Sequence, residues 1–232
     1  MSMYYIGVDI GGTGVQAGVV AENGQILFRK ECPTDVLSGF EKIMEDINQL
    51  VRTMLKENGV QISEIKSIGF GVPSFINKKG QVTCVNLGWK EEDFINTLKA
   101  KFPETNVYAE NDATVAALAE AKAGSMKGCD VGVMYTLGTG VGGGIIIGGK
   151  IFPGFYPGGA EVGHQIIEVN GRECGCGKKG CFEAYSSASA LILAAKKKAE
   201  ENKDSLLYKL VEGDVEKMNA KIPFDAAQSG DQ

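Results

Sequence analysis

A chain of 232 residues with 44% apolar and 23% charged content is long enough for one large folded domain or two modest ones, which excludes an extended disordered protein. A net charge of -5 and a pI near 5.1 leave no electrostatic footprint for nucleic acid or an anionic membrane surface, so small-molecule chemistry is the expectation. The opening Met1-Ser-Met-Tyr-Tyr carries no basic leader and no apolar run reaches membrane-spanning length, which predicts a cytoplasmic protein.

In chain order, Tyr4 to Ile10, Val15 to Val20 and Gln25 to Arg29 read as a strand meander, with turns at Gly11-Gly-Thr-Gly14 and Asn23-Gly24. Phe40, Ile43, Ile47, Leu50, Val51, Met54 and Leu55 form the apolar stripe of a helix ending near Asn58-Gly59. Ile65 to Val72 and Asn106 to Ala109 read as buried strands, with a short helix from Phe94 to Phe102 between them. Three antiparallel strands followed by helix-strand units predict a mixed α/β sheet. Residues 113–123 favour helix, and Asp112 stands where its N-cap is expected.

The pattern then restarts. Val131 to Leu137, a glycine turn and Gly144 to Ile147 repeat the strand-turn-strand logic, predicting a smaller lobe over 1–115 and a larger one over 116–232, with a cleft between them. Ser189 to Lys209 reads as helix, and the helical segment begun at Pro223 stops at Gln232, so the larger lobe reads as cut off.

Glycines concentrate in bursts at 11–14, 138–149, 154–163 and 171–180, where backbone must approach something closely. Asp9-Ile-Gly-Gly-Thr13 sets a carboxylate, exposed N–H groups and a hydroxyl at a strand end, a set suited to phosphate and Mg²⁺. Leu137-Gly-Thr-Gly-Val-Gly-Gly-Gly144 is a second such loop with no helix after it, so it does not match the dinucleotide fingerprint. A plain glycine turn is the competing reading of each loop alone; as a pair they suit the β- and γ-phosphates of a nucleotide. Asp112 at a helix start is either a simple cap or the carboxylate that orients an attacking hydroxyl.

His164, the single histidine, with Cys174, Cys176 and Cys181 supplies four ligands for tetrahedral Zn²⁺. Four protein ligands leave no open position, so the metal is expected to be structural. Cys32, Cys84 and Cys129 are scattered, unlike a disulfide framework. Glu161 and Glu183 flank the metal segment, and with Asn86 and Asn111 they offer the acceptors and donors that neighbouring sugar hydroxyls require, although each acid alone reads as a surface charge.

Taken together, Asp9-Ile-Gly-Gly-Thr13, Val85-Asn-Leu-Gly-Trp89, Glu110-Asn-Asp-Ala113, the loop 137–144, Glu161-Val-Gly-His164 and Cys174-Gly-Cys-Gly-Lys-Lys-Gly-Cys-Phe-Glu183 resemble the ROK family of sugar kinases and repressors, over residues 4 to about 190. The resemblance implies an actin-like, ribonuclease H-like ATPase fold with two lobes. It implies ATP-dependent phosphorylation of the 6-hydroxyl of a hexose, glucose first, with N-acetylmannosamine or fructose as alternatives. Asp112 would be the catalytic base, and Asn86, Asn111, Asp112, Glu161, His164 and Glu183 would hold the sugar. Asp9, Gly11, Gly12, Thr13, Gly138, Thr139 and Gly140 would face ATP and Mg²⁺, His164 would serve both zinc and sugar, and the full-length protein would be a homodimer or higher homo-oligomer.

This sequence departs from the family at Gly14, where many members carry a basic residue, and at Ser74, where glycine is common. The competing expectations are a sugar-sensing repressor, which needs a DNA-binding helix-turn-helix ahead of the first strand, and an inactive fragment that folds around zinc without closing on a nucleotide.

Overall fold

The computed structural model describes residues 3–154 and 160–231, so Gly158 and Gly159 of the third glycine burst and the terminal Gln232 lie outside the described residues. Contacts divide the chain into two compact units, one within Met1–Val133 and Gly144–Ala160, the other within Met134–Gly143 and Glu161–Gln232.

In the first unit, β1 (Tyr4–Ile10), β2 (Gly14–Ala21) and β3 (Ile26–Pro33) form the expected meander. Their alternation buries Ile6, Val8 and Ile10 on β1 and Val15, Ala17 and Val19 on β2. Helix α1 (Phe40–Glu57) lays its apolar stripe, including Met44, Ile47, Val51 and Met54, into the same core. The chain continues through β4 (Ile65–Val72), β5 (Val82–Cys84), β6 (Trp89–Glu92), α2 (Phe94–Lys101), β7 (Asn106–Asn111) and α3 (Asp112–Ala123).

The main sheet has the order β3-β2-β1-β4-β7. Its first three strands are antiparallel, and β4 and β7 run parallel to β1. Register sets Asp9 of β1 opposite Gly71 of β4, and Gly71 opposite Glu110 of β7, in one row at the carboxyl edge of the parallel strands. That edge is where open α/β sheets bind ligands.

The β5–β6 hairpin has no counterpart in the sequence reading. Its strands are three and four residues long, and Trp89-Lys-Glu-Glu92 looks like loop. Tertiary burial of Val82, Cys84 and Trp89 against Phe40 and Phe94 decides its conformation.

The hairpin tip between β8 (Val131–Leu137) and β9 (Val141–Ile147) belongs to the second unit, and the two strands with β10 (Lys150–Ile151) form a sheet of order β10-β9-β8. The rest of the second unit holds α4 (Glu183–Ser186), α5 (Ala188–Glu201), α6 (Leu206–Leu210) and α7 (Lys221–Gln228).

The single helix expected over 189–209 is two, because Asn202-Lys-Asp-Ser205 supplies side-chain caps: Asn202 Oδ1 accepts from Asp204 N–H and Ser205 Oγ accepts from Tyr208 N–H. Apolar burial in this unit is slight, a small cluster of Ala195, Ala199, Val211 and Met218. The lobe boundary expected near residue 115 does not coincide with the division into units. Helix α3 stays with the first unit because Gly144 admits Ala117 Cβ and Thr114 Cα at close range and Gly71 admits Val115. Among the described residues no helix is long and apolar enough to cross a membrane.

Candidate functional site

In the first unit, Asp9 is the penultimate residue of β1, and the turn after it is tied shut. Gly11 N–H donates to Gly14 O at 2.9 Å, Thr34 Oγ1 donates to Gly11 O at 2.7 Å, and Thr34 N–H donates to Thr13 O at 3.2 Å. Gly12 faces the Asn86 carbonyl, since a Cβ at Gly12 would stand 3.7 Å from it, so Asn86 is brought beside this turn. Asn86 sits in the helical turn Val85–Leu87, which closes at Gly88 in the left-handed region.

Asn111, not Asp112, caps α3. The Asn111 Oδ1 accepts from Thr114 N–H at 3.0 Å and Thr114 Oγ1 at 3.2 Å, while Asp112 is the first helical residue. Sequence reasoning put the cap one residue late because asparagine and aspartate cap equally well. Asp112 is thereby released for another use. Its Oδ1 accepts from Ala113 N–H at 2.7 Å and from Asn111 Nδ2 at 3.1 Å, which fixes the carboxylate plane.

Burial pushes the Asp112 carboxyl above the usual aspartate value, only partly offset by those two donors. Burial, and then the Asp112 charge, raise Asp9 in the same way. Gly71 lies between them, because a Cβ there would stand 3.6 Å from both Asp9 Oδ1 and Asp112 Cα. Gly71 was not singled out in the sequence, and nothing in the strand pattern marks it except its register opposite Asp9.

In the second unit, the ligand atoms of His164, Cys174, Cys176 and Cys181 all lie within 4.8 Å of one another. Cys174 Sγ is 3.6 Å from His164 Nδ1, and Cys176 Sγ is 3.6 Å from Cys181 Sγ. Tetrahedral zinc with ordinary Zn–S and Zn–N bonds requires ligand edges of about 3.6–3.8 Å, which these two edges match, and the donor types suit that ion. Burial pushes the Cys174 thiol up to about 12, while the Lys178 backbone N–H lowers that of Cys176.

The loop around the ligands is folded by backbone. Cys174 N–H donates to Lys178 O, Gly177 N–H donates to Cys174 O, and Gly180, at φ +79, presses on the Glu168 carbonyl where no side chain fits. Tyr185 OH donates to Glu168, and Arg172 stacks on the Tyr185 ring at 4.6 Å.

His164 presents its other nitrogen, Nε2, to Glu161 Oε2 at 3.7 Å, and Glu183 Oε1 stands 4.0 Å from His164 Nδ1. Glu161 and Glu183 are therefore both neighbours of His164, on either side of the histidine-cysteine segment. Gly163 explains how the histidine gets there: a Cβ at Gly163 would overlap the Val141 carbonyl, so only glycine lets this turn lie on β9. Gly138, Thr139 and Gly140 form the tip of the hairpin, closed by Gly138 N–H donating to Gly140 O at 3.0 Å.

The chain matches the profile of the ROK family over residues 5–228. It is 36% identical to a glucokinase of Thermotoga maritima over 98% of this chain and 70% of that protein. It is 34% identical to an N-acetylmannosamine kinase of Escherichia coli over 84% of this chain and 65% of that protein. Among solved structures, a ROK family glucokinase from Streptomyces griseus in complex with glucose and AMPPNP superposes with a TM-score of 0.79 at 35% identity, covering 98% of this chain and 72% of that one. A ROK family transcriptional regulator superposes with a TM-score of 0.81 at 21% identity, a likeness of fold alone. These matches span nearly the whole chain, and with the carboxylate row, the two glycine loops and the histidine-cysteine cluster they show that it belongs to the ROK family.

Proposed function

We propose that this protein is a sugar kinase that transfers the γ-phosphoryl group of ATP to the 6-hydroxyl of glucose. The observation that carries this reading is Asp112: a half-buried carboxylate with a raised pKa, its plane fixed by Asn111 and Ala113, one residue past the carboxyl edge of parallel strands and near a glycine turn. Phosphoryl transfer asks for positioning, charge stabilisation and one group to take the hydroxyl proton. In this reading Asp112 accepts that proton as the 6-oxygen attacks phosphorus and ADP leaves, a contribution of roughly 10²–10⁴-fold.

Asp9 with Gly11, Gly12 and Thr13 in the first unit, and Gly138, Thr139 and Gly140 in the second, offer the N–H groups, hydroxyls and carboxylate that suit phosphates and Mg²⁺. Each unit also carries its own hydroxyl-binding groups, Asn86, Asn111 and Asp112 in one, Glu161, His164 and Glu183 in the other. A structural zinc on His164, Cys174, Cys176 and Cys181 would supply rigidity to a segment with little apolar core, and thiolate ligands suit a reducing cytoplasm. Glucose is supported by 36% identity to glucokinases, and N-acetylmannosamine is the second reading because kinases of that sugar reach 34%.

Release of ADP on incubation with ATP and a panel of glucose, N-acetylmannosamine and fructose tests the proposal. Turnover with glucose foremost is expected; ADP release independent of every hexose overturns it.

A further inference from the structure

The segment that follows the last cysteine of the metal cluster reaches back to the hairpin tip 138–141 with its backbone and with two side chains. Ala188 N–H donates to Gly138 O at 2.8 Å, and Ser189 Oγ donates to Thr139 O at 2.8 Å. Glu183 Oε2 accepts from Val141 N–H at 2.8 Å. Gly140 lies so near that carboxylate that a Cβ there would overlap it. Three consecutive carbonyl or amide groups of a loop that has no core of its own are thus held by α4 and the first turn of α5. That turn is itself capped by the buried Ser187, whose Oγ accepts from Ala190 N–H.

The other oxygen of Glu183 faces the metal cluster, with Oε1 3.7 Å from Cys174 Sγ. One carboxylate therefore spans from the histidine-cysteine cluster to the glycine loop.

We infer that Glu183 and Ser189 are positioning residues for the glycine loop 138–141, so that affinity for the phosphates of a nucleotide is set by the segment anchored at Cys181 and not by the loop alone. The inference rests on the reading of that loop as a phosphate-binding element. A glycine-rich tip left to itself samples many conformations, and ordering it on binding would subtract from affinity. Holding Gly138 O, Thr139 O and Val141 N–H in advance removes that penalty.

The test compares the intact chain with its Ser189→Ala, Glu183→Ala and Glu183→Gln variants. It measures binding of magnesium-AMPPNP without sugar, binding of glucose without nucleotide, zinc content, melting temperature and amide hydrogen exchange of residues 138–141. Loss of one neutral hydrogen bond in Ser189→Ala is expected to weaken AMPPNP binding about five-fold. Its glucose affinity, zinc content and melting temperature stay at wild-type values. Glu183→Ala, which removes a charged acceptor, is expected to weaken AMPPNP binding about ten-fold or more and to speed exchange at Val141. Glu183→Gln keeps an acceptor oxygen and is expected to restore both to within about two-fold of wild type.

Unchanged AMPPNP affinity in both alanine variants overturns the inference while leaving the kinase reading intact. So does a Ser189→Ala protein that loses glucose affinity and melting temperature in parallel, which marks a merely structural role. Failure of the wild-type chain to bind AMPPNP at all sinks the phosphate-loop reading, and the inference falls with it.

Discussion

Asp112 shows how one residue is relieved of a structural role by its neighbour. Asn111 satisfies the first amides of α3, which leaves Asp112 half-buried beside Asp9 with a carboxyl pKa above the usual value. A carboxyl that binds its proton more tightly in the native state than in the unfolded chain disfavours folding once it ionises. That penalty is fully present above the native pKa and vanishes below the unfolded value of about 3.9.

Two outcomes are expected for Asp112→Asn. Turnover falls by roughly 10²-fold or more, because the amide takes no proton. The unliganded melting temperature at pH 7 stays the same or rises, and the difference from wild type closes as pH falls toward 4. A lower melting temperature at pH 7 would mean that the carboxylate is held by more than the two donors seen here. In wild type the acid limb of kcat/KM is expected to lie higher than an ordinary aspartate would place it, and a profile flat down to about pH 4 would remove Asp112 from its role.

Among elements, the histidine-cysteine segment has little apolar support beyond its buried cysteines and the contact of Phe182 with Tyr135. Its shape comes from the 174–178 turn, from Gly180 against Glu168, and from four ligand atoms gathered within 4.8 Å of one another. Cys176→Ser is expected to lower bound zinc from one per chain toward zero and to weaken glucose binding with it. Zinc retained at full stoichiometry would show that three ligands suffice.

Gly163→Ala tests the docking of the same segment on β9, since its methyl overlaps the Val141 carbonyl. A loss on the order of 1–3 kcal/mol or more is expected in denaturant unfolding. A change under about 0.5 kcal/mol would show that the turn is free to shift.

At the scale of the whole molecule, the two units are stabilised by different means. The first unit has an extensive core joining α1, α2 and the main sheet, with Trp89, Phe70, Phe94 and Phe102 fully buried. The second has only a few alanines, a valine and a methionine buried among its helices. Trp89 is the one tryptophan in the sequence and belongs to the first unit, so its fluorescence reports that unit alone. A chelator is expected to leave the tryptophan-monitored melt in place while the helical signal of the second unit is lost at lower temperature. Equal shifts of both signals would mean that the metal stabilises the chain as one cooperative body.

Much of this is legible in the amino-acid sequence. The meander, the stripe of α1 and strand β4 follow from apolar pattern, a local property that sequence displays directly. Strand β7, expected to be buried, alternates exposed and half-buried residues, Tyr108 among the exposed, because it forms the edge of the sheet. The histidine-cysteine set was legible because metal-ligand chemistry restricts residue type so severely. What only tertiary structure decided were features made by partners distant in sequence. The β5–β6 hairpin is held by burial of Trp89, Gly71 stands between two aspartates, α3 packs with the first unit, and Glu183 and Ser189 grip a loop more than forty residues before them. No local pattern encodes those pairings, because each depends on where the folded backbone brings a side chain and not on its neighbours in the chain.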